Sequence, residues 1–327
     1  MAMQITAAFG VAAMFVGAGR ADAVLAETEP MVLATEQAGE RLVLLSPCVG
    51  TNDDSVIRWT WSPKTDPGVK PEDAAKFINP SECKLRDDGR TILVTASEGA
   101  FADIDVATGR ARAYGIIGDV HNNPHSADRL PDGAYVIASS LGNCLTVLDV
   151  KGAELEPSAQ RRTTVTLPDA HGVEWDARRN CVWALGSGCV ARYSYDSDRK
   201  ALTLTNTYPL SKIGFGGGHD LVLFKFPKGD RLWLTAHIGG VASLDPDTGE
   251  FKILSRMKFV KSISRCGKRW LFVQPTDHGW SDTLTTVSKK DKEKSLTFRL
   301  KGAEFYKAKL FQPSAVWRLD RRSDQGE

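Results

Sequence analysis

The residues of this chain best suited to chemistry are its six histidines. His125, His171 and His219 follow one another at intervals of 46 and 48 residues, and Ser81 stands 44 residues before the first of them. His121 lies just upstream of His125, while His237 and His278 sit in Thr235-Ala-His-Ile-Gly239 and Thr276-Asp-His-Gly-Trp280. Neutral imidazoles that converge from separate segments suit two kinds of work. They ligate a divalent metal ion, manganese, zinc or calcium being the candidates, or they abstract a proton. The metal role falls to His125, His171 and His219, and the acid–base role to His219, His237 and Lys261, with Lys261 also able to hold a carboxylate. Ser81, Glu82, His278 and Trp280 are the ligand-binding candidates, Trp280 as a face on which a sugar ring could stack. The plainer alternative is that the histidines cap strand ends by bonding backbone.

The spacing has a structural cause. Asn79–Tyr114, Asn122–Glu154, Asp169–Asp196 and Gly217–Glu250 repeat one plan of short apolar runs broken by Gly, Pro, Asn and Asp, the hairpin signature. Asn122–Glu154 reads as four short strands in series. The turn after the third strand recurs as Asp105-Val-Ala-Thr-Gly109, Asp149-Val-Lys-Gly152 and Asp245-Pro-Asp-Thr-Gly249, where aspartate shapes the turn. A period in the forties with four strands per unit marks a β-propeller. The predicted fold is all-β: a propeller of six four-stranded antiparallel blades, one domain over residues 31–320. In such a ring the first strand of each blade starts at one face and the loop between the second and third strands returns there. All six histidines therefore map to one face.

The ends of the chain fit the same plan. Met31–Gln37, Arg41–Ser46 and Val56–Trp61 read as the last three strands of a blade that lacks its first. Glu304–Phe311 can supply it and close the ring, removing exposed sheet edges. A less regular unit spans Lys261–Arg265, Trp270–Gln274, Thr283–Val287 and Leu296–Leu300, with Lys289–Lys294 as a charged turn.

Composition narrows the function classes. Of the 327 residues 42% are hydrophobic, enough for a large core, and 42 basic residues balance 40 acidic ones without a basic stripe. Nucleic acid is therefore not an expected partner; the expected ligand is a small molecule or saccharide, and the expected state a monomer. Ile5–Gly19 is apolar and Ala21-Asp22-Ala23 offers a cleavage site, so residues 1–23 read as a signal peptide for a secreted or periplasmic protein. A positively charged start is missing, and Arg20 stands close to the cut. No later segment is apolar enough to span a membrane. Cys48, Cys83, Cys144, Cys181, Cys189 and Cys266 include no CxxC pair, which argues against a thiolate zinc site; some could pair in an oxidising compartment. Gly214–Gly218 lacks the helix and Lys-Ser/Thr of a phosphate loop, and suits close backbone approach at the channel mouth.

The segments MVLATEQAGERLVLL, VIRWTWSP and AEFYKAKLF resemble a family of exported β-propeller proteins catalogued only as a domain of unknown function. The resemblance runs from Met31 to Phe311, with Gln37, Trp59 and Trp61 its most particular positions. It implies a propeller and export and brings no activity. Oligogalacturonate lyases, whose axial histidines bind a metal and assist uronate elimination, are an analogy of fold only. The expected function is binding, with lyase or hydrolase cleavage, of a saccharide or other small acidic ligand; the alternative is a non-catalytic module binding a glycan or protein.

Overall fold

Runs such as Thr91–Ala96, Tyr135–Ser139 and Cys181–Leu185 are too short for helices, and every residue in them is buried. Strands buried on both faces need a neighbouring sheet on each side. A ring of sheets provides it. The computed structural model describes residues 30–48, 55, 57–150, 160–276, 279–288 and 295–312. It contains six four-stranded antiparallel sheets.

The first blade contains Met31–Glu36 (β1), Arg41–Leu45 (β2) and Ile57–Trp61 (β3). The second runs through Pro80–Arg86 (β4), Thr91–Ala96 (β5), Ala100–Asp105 (β6) and Arg110–Ile116 (β7). The third comprises Pro124–Arg129 (β8), Tyr135–Ser139 (β9), Cys144–Asp149 (β10) and Arg161–Thr166 (β11). In the fourth are Gly172–Asp176 (β12), Cys181–Leu185 (β13), Cys189–Asp196 (β14) and Ala201–Pro209 (β15). The fifth is built from Gly216–Phe224 (β16), Arg231–Ile238 (β17), Gly240–Leu244 (β18) and Phe251–Ser255 (β19). Ser262–Cys266 (β20), Arg269–Val273 (β21), Thr283–Ser288 (β22) and Thr297–Arg299 (β23) make the sixth, and Phe305–Phe311 (β24) returns to the first. β24 pairs with β1 from Met31 opposite Phe311 to Glu36 opposite Phe305, so the two ends of the chain share one sheet. The innermost strands β24, β4, β8, β12, β16 and β20 neighbour one another around the axis.

One expectation changes. The described residues of Asn122–Glu154 hold three strands rather than four; the fourth strand of the blade, β11, runs over Arg161–Thr166. It reads Arg-Arg-Thr-Thr-Val-Thr and is largely exposed, so it lacks the apolar alternation of inner strands. The loop after β3 contains a short 3-10 segment, Pro71–Phe77. Its Phe77 packs edge-on against Trp61 at 5.6 Å, while Trp61 Nε1 donates to Asp66 Oδ2 at 2.6 Å. Trp61 is thus core, and Trp59 packs partly buried against the same cluster. Gln37 Nε2 donates to the Pro80 carbonyl at 3.2 Å and ties the first blade to the second. All six cysteines are free. Among the described residues no helix is long and apolar enough to cross a membrane. The expected signal peptide, the expected 289–294 turn and the end of the expected 31–320 domain lie outside the described residues.

Candidate functional site

The innermost strands start at one rim of the channel, and the same irregularity recurs there. Pro80 and Glu82 pair with consecutive residues of β5, leaving Ser81 extra; Pro124 and Ser126 do the same with β9, leaving His125; Gly218 and Asp220 do so with β17, leaving His219. A bulge of this kind re-aims the extra side chain. In β24 the register slips around Tyr306 and Lys307. Two residues ahead of five rim positions the backbone is left-handed: φ is 54° at Asn79, 49° at Asn123, 50° at Asp169, 63° at Gly217 and 60° at Phe259. Asn, Asp and Gly tolerate that region best. Phe259 therefore marks Lys261, not Ser262, as the equivalent position in the sixth blade. The rim series is Ser81, His125, His171, His219, Lys261 and, 45 residues later, Tyr306.

The rings at this mouth pack against one another. His125 and His171 stack with centroids 4.4 Å apart and planes 15° from parallel. His219 meets His171 at 4.6 Å and His237 at 4.3 Å. Lys261 Nζ lies 2.7 Å from His219 Nε2 and 3.0 Å from His237 Nε2. Tyr306 Oη is 3.3 Å from His125 Nδ1, and His171 Nδ1 is 3.0 Å from the Asp169 carbonyl. Trp280 meets Tyr306 edge to face at 5.0 Å, and Lys261 Nζ sits over the Trp280 ring at 5.3 Å. His125, His171, His219 and Tyr306 are buried, while His237, Lys261 and Trp280 are partly exposed.

Electrostatics make this a cluster of bases. Burial, then the neighbouring His171, Lys307 and Lys261, holds His125 well below the usual histidine value of 6.5. Burial, then His171 and Lys261, does the same to His219. His237 is lowered by burial and by Lys261. Burial, with Lys307 second, pulls Lys261 down to about 8. Desolvation disfavours the charged form of each group, so the imidazoles of His125, His219 and His237 are neutral at pH 7.

The expected metal set fits this arrangement poorly. Among the described residues no group of three or more His, Cys, Asp or Glu is placed to hold a metal ion. The rings of His125 and His171 lie face to face, and His219 Nε2 already meets Lys261. The imidazoles would have to turn before their nitrogens shared one ion.

Below the mouth the channel is filled by charge. Lys307, fully buried, reaches Glu82 Oε2 and Asp220 Oδ1, each at 3.4 Å, and donates to the His125 carbonyl at 3.1 Å. Lys309 lies 3.1 Å from Asp220 Oδ2 and 3.7 Å from Glu82 Oε1. Lys84 pairs with Glu174 at 3.3 Å, and Arg86 bonds Asp128 at 2.6 Å and Glu174 at 2.9 Å. Lys84, Arg86, Lys307 and Lys309 thus offset Glu82, Asp128, Glu174 and Asp220, four against four. Burial alone would raise Glu82, but Lys307, Lys309 and Lys84 outweigh it and hold the carboxyl far below the usual range. At the far end a cavity of about 310 Å³ borders Arg86, Asp128, Arg129 and Glu174, whose charges are paired within the protein.

Of the residues singled out from sequence, His125, His171, His219, His237, Lys261 and Trp280 come together. Ser81 faces inward: its hydroxyl bonds the Pro124 carbonyl at 2.5 Å and Thr95 Oγ1 at 2.9 Å, tying two blades. Glu82 belongs to the channel lattice. His121 is exposed nearby, and His278 lies outside the described residues. Tyr306, Asp169 and the channel lysines went unread. Tyr306 continues the rim spacing, and Glu82, Lys84 and Arg86, like Lys307 and Lys309, recur at the two-residue period that faces one side of a strand.

The chain matches a family of unknown function, DUF6528, over residues 16–317. It belongs to that family. No curated protein matches it. Among solved structures, a protein of unknown function from Bacteroides caccae is similar with a TM-score of 0.56 and 13% identity, covering 88% of this chain and 100% of that one. A protein from Lactobacillus plantarum scores 0.50 at 13% identity, covering 85% and 86%. A catalytically inactive histidine-to-alanine variant of virginiamycin B lyase from Staphylococcus aureus, with quinupristin, scores 0.49 at 14% identity, covering 85% and 87%. Identities this low speak for the fold of the DUF6528 chain alone.

Proposed function

We propose that this chain is an exported enzyme whose histidine-lined mouth binds a small acidic ligand, a uronate-bearing saccharide first among candidates, and removes a proton from it in a lyase-type elimination. The observation that carries this reading is Lys261 Nζ at 2.7 and 3.0 Å from the Nε2 atoms of His219 and His237. A cation there attracts the ligand carboxylate, and a neutral imidazole beside it accepts the proton on the adjacent carbon. The partly exposed Trp280 borders the sugar, with Tyr306 packed beside it at 5.0 Å.

The test is a screen of oligogalacturonides and related uronides for the absorbance of an unsaturated product. His219→Ala and His237→Ala should each lower turnover by about a hundredfold or more, with the fold intact by circular dichroism. Turnover should survive dialysis against a chelator. Its loss, with recovery on adding manganese or zinc, would move His125, His171 and His219 to metal ligation instead. Saturable binding without turnover would favour the second reading, a glycan-binding module centred on the exposed part of Trp280.

A further inference from the structure

Lys261 is placed for more than holding a carboxylate. A neutral lysine amine has two N–H bonds and one lone pair. Its Nζ has two acceptors in reach, His219 Nε2 and His237 Nε2. Trp280 and Tyr306 present ring faces, at 5.3 and 5.7 Å from Nζ, which donate nothing to the lone pair. Among the described residues no carboxylate pairs with this nitrogen. Both N–H bonds are thus engaged and the lone pair is left open. The side chain is partly exposed, so a small solute can reach it.

We infer that Lys261 is a nucleophilic amine that captures a small carbonyl compound, an aldehyde or a 2-oxo acid, as an imine. The open-chain aldehyde of a reducing sugar belongs to this class. The nitrogen lone pair forms the bond to the carbonyl carbon, and the π pair of the C=O moves onto oxygen. One amine proton passes through an imidazole to that oxygen, giving a carbinolamine. The second proton follows through the other imidazole, the C–O bond breaks, water leaves, and the nitrogen pair closes the C=N bond. No oxidant, reductant or metal is needed. Two protons must move, and two neutral imidazoles stand at the nitrogen to move them. Lysines held in partly buried, apolar-walled sites with no anionic partner serve as Schiff-base nucleophiles.

The inference rests on the same mouth as the proposed function but asks for a different substrate atom, so the two can fail separately. The experiment uses the full chain with glyoxylate and cyanoborohydride, followed by peptide mapping. The expected result is a reduced adduct at Lys261 forming about tenfold faster than at any other lysine. It should be absent in Lys261→Arg, which keeps the cation, and slowed in His219→Ala and His237→Ala. An unchanged melting temperature in Lys261→Arg would show that loss of the adduct is not loss of the fold. Labelling spread evenly over exposed lysines, or none at Lys261, would overturn the inference. If uronide turnover persisted in that case, only the imine would fall. An adduct without uronide turnover would leave the imine and remove the acid-ligand reading.

Discussion

At Lys261 burial and the nearby Lys307 both act against the charged amine, and the effect is measurable. The groups facing its amine are His219 from β16, His237 from β17, and Tyr306 and Lys307 from β24; none is an anion. Its native value of about 8 lies below the ordinary 10.5. Between those two values the unfolded chain binds the proton and the folded chain does not, so this group's contribution to stability rises with pH across that window. Lys261→Met should therefore be more stable than the parent at pH 7 by about 1 kcal/mol, the partial exposure of the amine reducing the full value. The difference should vanish above pH 10.5. Thermal melts of both proteins across that range check it, and a destabilised variant at pH 7 would contradict the electrostatics drawn here. The histidine mouth was legible from spacing because three blades carry the same residue type at one register. Tyr306 was not, because Glu304–Phe311 was legible only as the strand that closes the ring, and pairing alone does not show which of its side chains reaches the mouth.

The elements that aim these side chains were half legible. Alternation and turn residues mark the strands, whereas a bulge is a mismatch in count between two strands and leaves no mark in either alone. Gly217 is where this matters most, since its φ of 63° combines with a constraint of space: an added Cβ would stand 3.3 Å from His237 Cβ. Gly217→Ala should lose about 1–2 kcal/mol to the left-handed backbone. It should also push His237 away from Lys261, lowering turnover more than the loss of stability explains. Urea denaturation and kinetics on the same preparation separate the two effects. Equal losses in both would make Gly217 a folding residue only.

For the whole molecule, the ring and its closure followed from the end segments, because strand-like runs at both termini lacked partners nearby. The channel lattice did not follow. Lys307 meets Glu82 and Asp220 across 225 and 87 residues of sequence, and such pairings depend on how many blades stand between them. Lys307→Met would leave two buried carboxylates with less compensation and should cost about 3–5 kcal/mol. Glu82 is held below its ordinary 4.5 in the folded chain. Its contribution is therefore complete above 4.5 and is lost as the pH falls below that value towards the depressed native one. Urea midpoints at pH 7 and in acid should show the parent weakening on acidification and Lys307→Met weakening less. Parallel curves would mean that the lattice is not what acid disrupts.

Tyr306 and Lys307 ride on β24, the last described strand of the ring, whereas Glu82 and Asp220 belong to β4 and β16. During synthesis the two acids emerge long before the lysines that neutralise them. Until β24 docks, the growing ring lacks two of its four channel cations, leaving Glu82 and Asp220 under-compensated, and its mouth lacks the tyrosine wall. The final strand then acts as a latch that delivers counter-charge and the last wall of the mouth together, so a chain cut short of it would be unclosed and would lack both.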